Sequence, residues 1–378
     1  MATHKAAVLR SFSSPLSIEM VPTLEAVPGS AIVRVLATAV VPYARKVYSG
    51  NIALTSSSLP LPLVPGVGCI GRVATVGPDA TSLQPGQLVF CEPTIRSRDN
   101  PANQILIGHS AGFAPDAKKL MEGEWRNGTL AEMVKMPLEN LFALNEDVLL
   151  GKLGLEMKHL TYIQVLAVPL GGLLEAGVGP GTSVVIAPAT GKFGGAAVAV
   201  ALALGARVIA AGRNTAALEK LTALYGNTML ATVVLSGDVA EDTEKLKEAN
   251  GGSPFDVFQD WCPMTVAAGD PTPSLIASCI AALRHEGTAS LMGGIRGDIS
   301  ISYSMVMHRN LKIRGKFMYE REDVLKLLKL IEHGNLKLGG GVGSGMDIAG
   351  VFSLDEMDEA LLLAAEKKGW GGSVVVCP

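Results

Sequence analysis

The stretch of this sequence best equipped for chemistry is a glycine-rich turn near its middle, Ala189-Thr190-Gly191-Lys192-Phe193-Gly194-Gly195. Gly191 lets backbone turn sharply and come close to a bulky anion where a Cβ would obstruct it. Gly194 and Gly195 let a following helix pack close to a sheet. In front of the turn, Ser183 to Ala187 is an apolar run rich in β-branched residues, of strand length, that breaks at Pro188. Behind it an alanine-rich stretch reads as a helix to Leu204, Gly205 stops it, and Arg207 to Ala211 reads as a second buried strand. Strand, glycine turn, helix and parallel strand within about thirty residues is the unit that binds a dinucleotide. The helix N-terminus then offers N–H groups and a partial positive charge to the pyrophosphate. The first glycine of the usual fingerprint is Ala189 here, and the bland alternative is a turn that only packs.

The end of the second strand selects the cofactor. A site for NAD carries Asp or Glu about 20 residues past the glycines, bonded to the ribose 2′-hydroxyl. This chain has Ala211-Gly212-Arg213-Asn214, with no acid. An arginine there suits a 2′-phosphate, which its planar fork grips by charge-assisted bonds. The expected cofactor is therefore NADPH, held by Ala189, Thr190, Gly191, Lys192, Phe193, Gly194, Arg213 and Asn214. The competing reading of Arg213 is a solvated side chain in the loop before a helix.

Elements must position these residues, and 378 residues are enough for two domains. An apolar fraction of 48% supports sizeable cores. A net charge of −3 gives no footprint for nucleic acid or an acidic membrane. No uncharged apolar run reaches the roughly 18 residues of a span, and the first ten residues lack a secretory pattern. The expectation is a cytoplasmic enzyme acting on a small molecule. Five scattered cysteines without a C-x-x-C pair read as structural thiols.

The first 150 residues differ from the middle. Short β-like segments are punctuated by glycine and proline, as in Leu63-Val64-Pro65-Gly66-Val67-Gly68-Cys69-Ile70-Gly71-Arg72-Val73 and Leu83-Gln84-Pro85-Gly86-Gln87-Leu88-Val89. Arg96 to Arg126 reads as a long polar, irregular loop. Asn127-Gly128-Thr129-Leu130-Ala131-Glu132 and Pro137-Leu138-Glu139-Asn140 resume the strand-and-turn pattern.

In their order these segments resemble the medium-chain dehydrogenase/reductase superfamily over nearly the whole chain, and its quinone-oxidoreductase and alcohol-dehydrogenase members in particular. The resemblance implies an α/β chain: a GroES-like β-rich catalytic domain (1–158), a Rossmann doubly wound parallel sheet holding NADP(H) (159–315), and a C-terminal return to the catalytic domain (316–378). Zinc-dependent members place a catalytic Cys where this chain has Val41, and a His and Glu where it has Val67 and Gly68. No cysteine occurs between Cys91 and Cys262, so the third ligand and the four-cysteine structural site are missing too. Catalytic zinc needs three protein ligands and an open position; no metal is expected. His109 alone among the six histidines could lie near the cleft, though a solvated loop residue is the plainer reading.

Without a Lewis acid, the resemblance to zinc-free members implies hydride transfer to an activated C=C of an enone or quinone. Tyr43 occupies the place of the proton-relaying Ser or Thr, so its hydroxyl is expected to face the nicotinamide as the proton donor. The alternative is a tyrosine lining an apolar cleft. The Asn and Asp typical of quinone reductases are replaced by Val41 and Ala44. Trp261 follows a strand end, where α/β sheets bind ligands, and Gly293-Gly294 follows the strand end that in the family approaches the nicotinamide. Two other readings stay open: a carbonyl or imine reductase, which calls for an acid such as Glu92 or Asp260 at the nicotinamide, and a cofactor-binding protein without turnover. Leu311 to Phe317 reads as an apolar edge strand that needs cover, hence an expected homodimer. Arg321 to Gly334 and Ser353 to Lys368 read as amphipathic helices, the second with a Ser353/Glu356 capping box.

Overall fold

The structure, a computed structural model, describes residues 2–52, 59–264 and 273–378. The chain divides into two compact units, one of Met1–Gln164, Asp347–Lys368 and Gly372–Pro378, the other of Val165–Met346 and Gly369–Gly371. The sequence-based lines fall at 158/159 and 315/316.

The first unit is built on the strand Ser30–Val40. Its alternating apolar residues serve two faces, as period-two side chains must. Ala31, Val33 and Val35 pack with Val89, Ile95, Ile105 and Met121. Val40 joins a second cluster with Ala44, Tyr48, Leu130, Met357 and Leu361. The strand pairs antiparallel with Cys69–Val76, Met133–Pro137 and Ser373–Val376, within a sheet that has seven strands among the described residues. This is the GroES-like β unit. Arg96 to Arg126 is more ordered than its polarity implies. Thr94–Arg96 and Gln104–Leu106 form a hairpin, and Lys118–Glu122 is a helix that buries Met121. The isolated apolar residues Ile95, Ile105, Ile107 and Met121 hold it down, with no run long enough to register as an element.

The Ser353/Glu356 capping box forms, with the Ser353 amide donating to Glu356 Oε2 at 2.9 Å. Signature residues also have structural duties here. Asn140 donates from Nδ2 to the carboxylate and carbonyl of buried Glu92 and to the Thr94 carbonyl. Asn127 accepts from the Val64 amide, and Gly128 lies so close to Gly66 that an added Cβ would stand 2.1 Å from its carbonyl oxygen. Thr38 donates to the Gly68 carbonyl and shares a hydrogen bond with Thr129.

The second unit is a six-stranded parallel sheet in the order Leu230–Val234, Arg207–Gly212, Ser183–Ala187, Phe255–Asp260, Leu283–Leu291, Lys312–Gly315. Val184, Val185, Ile186, Val208 and Ile209 are fully buried, which is why these strands read as continuous apolar runs. Chain order reverses between Ser183–Ala187 and Phe255–Asp260, the switch point at which such sheets open a ligand crevice at their carboxyl ends. The helix Tyr162–Glu175 has no counterpart in the sequence reading. Apolar all round, with Pro169 and Gly171-Gly172 inside, it shows no amphipathic period and three breaker residues. The glycines serve packing: a Cβ on Gly171 would stand 2.7 Å from the Met318 carbonyl, and one on Gly172 would strike Met292.

Candidate functional site

The glycine turn lies at the switch point. Ala187 ends its strand, and the Trp261 amide donates to its carbonyl at 2.9 Å, so the turn and the residues after Phe255–Asp260 are neighbours. The helix is Lys192–Ala203, with Gly191 as an extended N-cap that has no side-chain cap. Gly191 has φ −76°, so the left-handed region is not what requires glycine. A Cβ built there meets nothing within 4 Å; glycine leaves the approach to the helix N-terminus clear. Gly194 is the tight position, since its Cβ would stand 2.2 Å from the Pro188 carbonyl oxygen. Gly195, expected to meet the sheet, instead backs onto Trp370, whose side chain an added Cβ would reach at 2.4 Å. The Trp370 amide donates to the Thr190 carbonyl, and its indole to Tyr225. Trp370 is a support for the turn that sequence reasoning missed, because nothing local in Gly369-Trp370-Gly371 refers to residue 190.

Lys192 is buried, and desolvation pushes its ammonium down to about 8, so it is mostly protonated at neutral pH. Phe193 stacks on Trp261 with centroids 5.7 Å apart and planes 13° from parallel. Arg213 is exposed at the end of Arg207–Gly212 and makes no ion pair with a described residue. Asn214 is the N-cap of Thr215–Tyr225 and accepts from the Ala217 amide at 3.1 Å. The Gly293 amide donates to Asp260 at 3.0 Å and the Gly294 amide to the Cys262 carbonyl at 2.7 Å. These glycines therefore offer close backbone approach and no spare donors. The fold gathers Ala189, Thr190, Gly191, Lys192, Phe193, Gly194, Arg213, Asn214, Trp261, Gly293 and Gly294 at carboxyl ends of strands in one unit. A clear helix N-terminus, a buried lysine, an exposed arginine and a stacked aromatic pair fit a phosphorylated dinucleotide.

The two acids that an imine reading calls for are both committed. Glu92 accepts from the Thr94 amide and from Asn140. Asp260 accepts from the Cys262 and Gly293 amides, while burial raises its carboxyl above the usual range.

In the first unit, Tyr43 precedes the short helix Ala44–Tyr48 and is partly buried. Desolvation pushes its phenol up to about 12, so the hydroxyl is a hydrogen-bond donor that parts with its proton reluctantly. His109 is not the solvated loop residue of the sequence reading. It is 2% exposed, its ring centroid lies 5.6 Å from Tyr43's, and Tyr48 meets it edge-on at 6.2 Å. Gly108 makes this placement possible: at φ +62°, its Cβ would stand 2.6 Å from the Gly66 carbonyl oxygen. Among the described residues neither imidazole nitrogen has a hydrogen-bond partner, and burial lowers the ring's pKa to about 4.

Val67 is buried, and the neighbouring Gly68 amide donates to Gln164. A Cβ on Gly68 would stand 2.8 Å from the Cys91 carbonyl oxygen, so no glutamate fits there without rearrangement. Among the described residues no three His, Cys, Asp or Glu side chains converge as metal ligands. The five cysteines are free, and burial raises the thiols of Cys91, Cys262 and Cys279. A separate cavity of about 320 Å³ in this unit is lined by Arg10, Glu19, Glu124 and Lys135 among others, whose charges pair with one another. No helix among the described residues is long and apolar enough to cross a membrane.

Comparison with known proteins agrees with this architecture. The model of the alcohol dehydrogenase GroES-like domain matches residues 27–146, and that of the zinc-binding dehydrogenase matches residues 193–333. An alcohol dehydrogenase of Rhizobium meliloti (strain 1021) is 24% identical over 352 residues, 88% of this chain and 90% of the relative. D-xylulose reductase A of Aspergillus niger is 27% identical over 281 residues, 73% of this chain and 72% of the relative. The solved structure of an alcohol dehydrogenase from Thermus sp. ATN1 superposes with a TM-score of 0.76 at 20% identity, covering 99% of each chain. A GroES-like unit, a Rossmann-like parallel sheet and both domain matches together place the chain in the medium-chain dehydrogenase/reductase superfamily, as a nicotinamide-dinucleotide-dependent oxidoreductase.

Proposed function

We propose that this oxidoreductase is an NADPH-dependent, zinc-independent reductase of activated alkenes, its substrate a small enone or quinone-type molecule. The observation that carries the reading is the chemistry of the positions where zinc-dependent members hold their metal. Val41 and Val67 are aliphatic, and the Gly68 amide is tied to Gln164. Such a donor set does not fit catalytic zinc, which takes thiolate, imidazole or carboxylate ligands, and alcohol oxidation without a metal lacks a means of forming the alkoxide at neutral pH. A conjugated carbonyl needs no metal to accept hydride.

The dinucleotide would be held by the turn Ala189 to Gly194, with Phe193 and Trp261 as apolar walls and Gly293-Gly294 in close approach. Arg213, exposed and without an ion-pair partner among the described residues, favours a 2′-phosphate. Held there, a reduced dinucleotide would supply the hydride for the β-carbon of a conjugated carbonyl, whose oxygen would take up the negative charge. Tyr43 donates a hydrogen bond to that oxygen as it becomes an enolate. Its raised pKa keeps the phenol protonated at neutral pH, so it presents an O–H to the oxygen as charge develops there.

The test follows reduced-nicotinamide absorbance with NADPH and NADH against enones, quinones, simple ketones and cyclic imines, and in reverse with alcohols. NADPH-specific reduction of enones after exhaustive chelation is expected. Turnover confined to ketones or alcohols and lost on chelation would overturn the proposal, as would a preference for NADH. We expect the protein to act as a homodimer in the cytoplasm, without nucleic-acid or membrane partners; the edge strand Lys312–Gly315 carries Lys312 and Arg314 and is not the apolar run expected, so its open edge alone motivates the dimer, and sedimentation tests it.

A further inference from the structure

We infer that His109, flanked by Tyr43 and Tyr48, is the seat of the substrate's carbonyl oxygen. The inference rests on the alkene-reductase reading and deepens it, naming a neutral carbonyl compound as the ligand of the first unit. Its starting point is a cost. A neutral imidazole carries one N–H donor and one acceptor, and buried polar groups of native proteins are nearly always satisfied. His109 is 2% exposed, and neither nitrogen is bonded among the described residues. A buried donor left unpaired costs on the order of 1–3 kcal/mol, so a fold that keeps one uses it.

The surroundings state what the ring is for. Tyr43 and Tyr48 stand against it through their faces and edges, at centroid distances of 5.6 and 6.2 Å. Ala44, Val47 and Val64 belong to the hydrophobic cluster that contains Tyr48, and Val41 and Tyr43 pack against it. Gly108, directly before His109, lies so close to Gly66 that an added Cβ would stand 2.6 Å from its carbonyl oxygen. His109 can offer a substrate oxygen a hydrogen-bond partner in a unit whose Val41 and Val67 cannot hold a metal.

The charge of the ligand follows from the same groups. Desolvation lowers the His109 pKa and raises those of Tyr43 and Tyr48, so all three are neutral near pH 7. Neutral N–H and O–H donors in apolar surroundings favour a ketone, aldehyde, ester or amide oxygen over a carboxylate or phosphate, which would lose hydration without gaining a countercharge. The imidazole N–H and the Tyr43 hydroxyl are the two donors for the oxygen on which enolate charge develops.

The test titrates the cofactor-free protein with cyclohexenone, with cyclohexane as a comparator lacking oxygen and benzoate as an anionic one, reading the ¹⁵N resonances of its histidines. His109→Phe assigns the resonance and keeps a planar ring without nitrogens. His109→Gln keeps a donor. Cyclohexenone is expected to shift the His109 resonance and to bind about tenfold more weakly to His109→Phe, the worth of one hydrogen bond. His109→Gln should recover part of that loss, and cyclohexane should bind both proteins alike. With NADPH present, the same order should appear in kcat/KM for cyclohexenone. Equal cyclohexenone affinity in wild type and His109→Phe, an unmoved His109 resonance at saturation, or tighter binding of benzoate than of cyclohexenone would each overturn the inference. Should His109→Phe fail to fold, His109→Gln assigns the resonance, and its shift on cyclohexenone titration of the wild type decides. The two readings fail separately: histidine-dependent binding without NADPH oxidation would sink the reductase proposal and spare the oxygen seat. NADPH oxidation indifferent to His109 would do the reverse.

Discussion

The turn Ala189 to Gly195 and the cluster of Tyr43, Tyr48 and His109 are assembled in opposite ways. The turn is contiguous: strand, bend and helix follow each other, and each residue's duty is set by neighbours a few positions away. The cluster is discontinuous. Its members come from a short helix and from a loop some sixty positions downstream, and they meet only because Gly108 can pass close to Gly66. A dinucleotide is large and invariant, so a local backbone device can hold it. A substrate pocket is small and variable, and side chains drawn from distant loops can be exchanged without disturbing a sheet.

That contrast can be broken by mutation. Gly194→Ala should have the largest effect. Its Cβ meets backbone at 2.2 Å, and overpacking of this kind costs about 3 kcal/mol or more, so thermal unfolding should show a loss of several degrees together with lost dinucleotide binding. Gly191→Ala is its control, with an unchanged melting temperature and weakened dinucleotide binding by calorimetry. If both alanines were equally destabilising, the turn would be serving packing alone. Arg213→Ala should weaken NADPH by roughly ten- to a hundredfold, as expected for one or two charge-assisted hydrogen bonds, and leave NADH nearly unchanged. Equal losses would remove the 2′-phosphate from Arg213.

On the other side of the comparison, Tyr43→Phe should lower kcat about tenfold with cofactor affinity intact. A rate unchanged in single-turnover measurements would make Tyr43 a wall of the pocket. The smallest effect is one of pH. Lys192 has its folded pKa lowered to about 8 by burial, so its ammonium is present below that value and lost as pH rises through it. NADPH affinity should therefore fall a few-fold between pH 7 and 9 by a term that Lys192→Met removes. The same shift has the opposite sign for stability. A buried lysine with a lowered pKa weakens the fold as pH falls from its unfolded value near 10.5 toward about 8, and Lys192→Met should flatten that slope in melting curves.

The parallel sheet was legible because its strands are short buried runs separated by glycine turns, and Arg213 was legible because a strand end is a local landmark. The β-rich character of the first unit followed from Gly and Pro spacing in residues such as Pro65-Gly66 and Gln84-Pro85-Gly86, while the domain order came only from the resemblance those segments carry. The helix Tyr162–Glu175 was hidden because burial on all sides erases the period that betrays a surface helix. His109 was hidden for a different reason. In a polar stretch a lone histidine looks solvated, and only the scattered apolar residues Ile105, Ile107 and Met121 carry it inward. Tyr43 lies against His109 ahead of the short helix, and its raised pKa arises from burial that no motif encodes.

One feature of the last strand reaches further than its length. Ser373–Val376 pairs with both Ile348–Phe352 and Ser30–Val40, and Trp370, just ahead of it, backs the helix that begins at Lys192. A nascent chain on the ribosome that has reached only Lys368 thus lacks a middle strand of its β unit and the indole behind its nucleotide helix. A stop codon at Gly369 would strip both units of these contacts, and a chain so truncated is expected to unfold at a lower temperature than the full one.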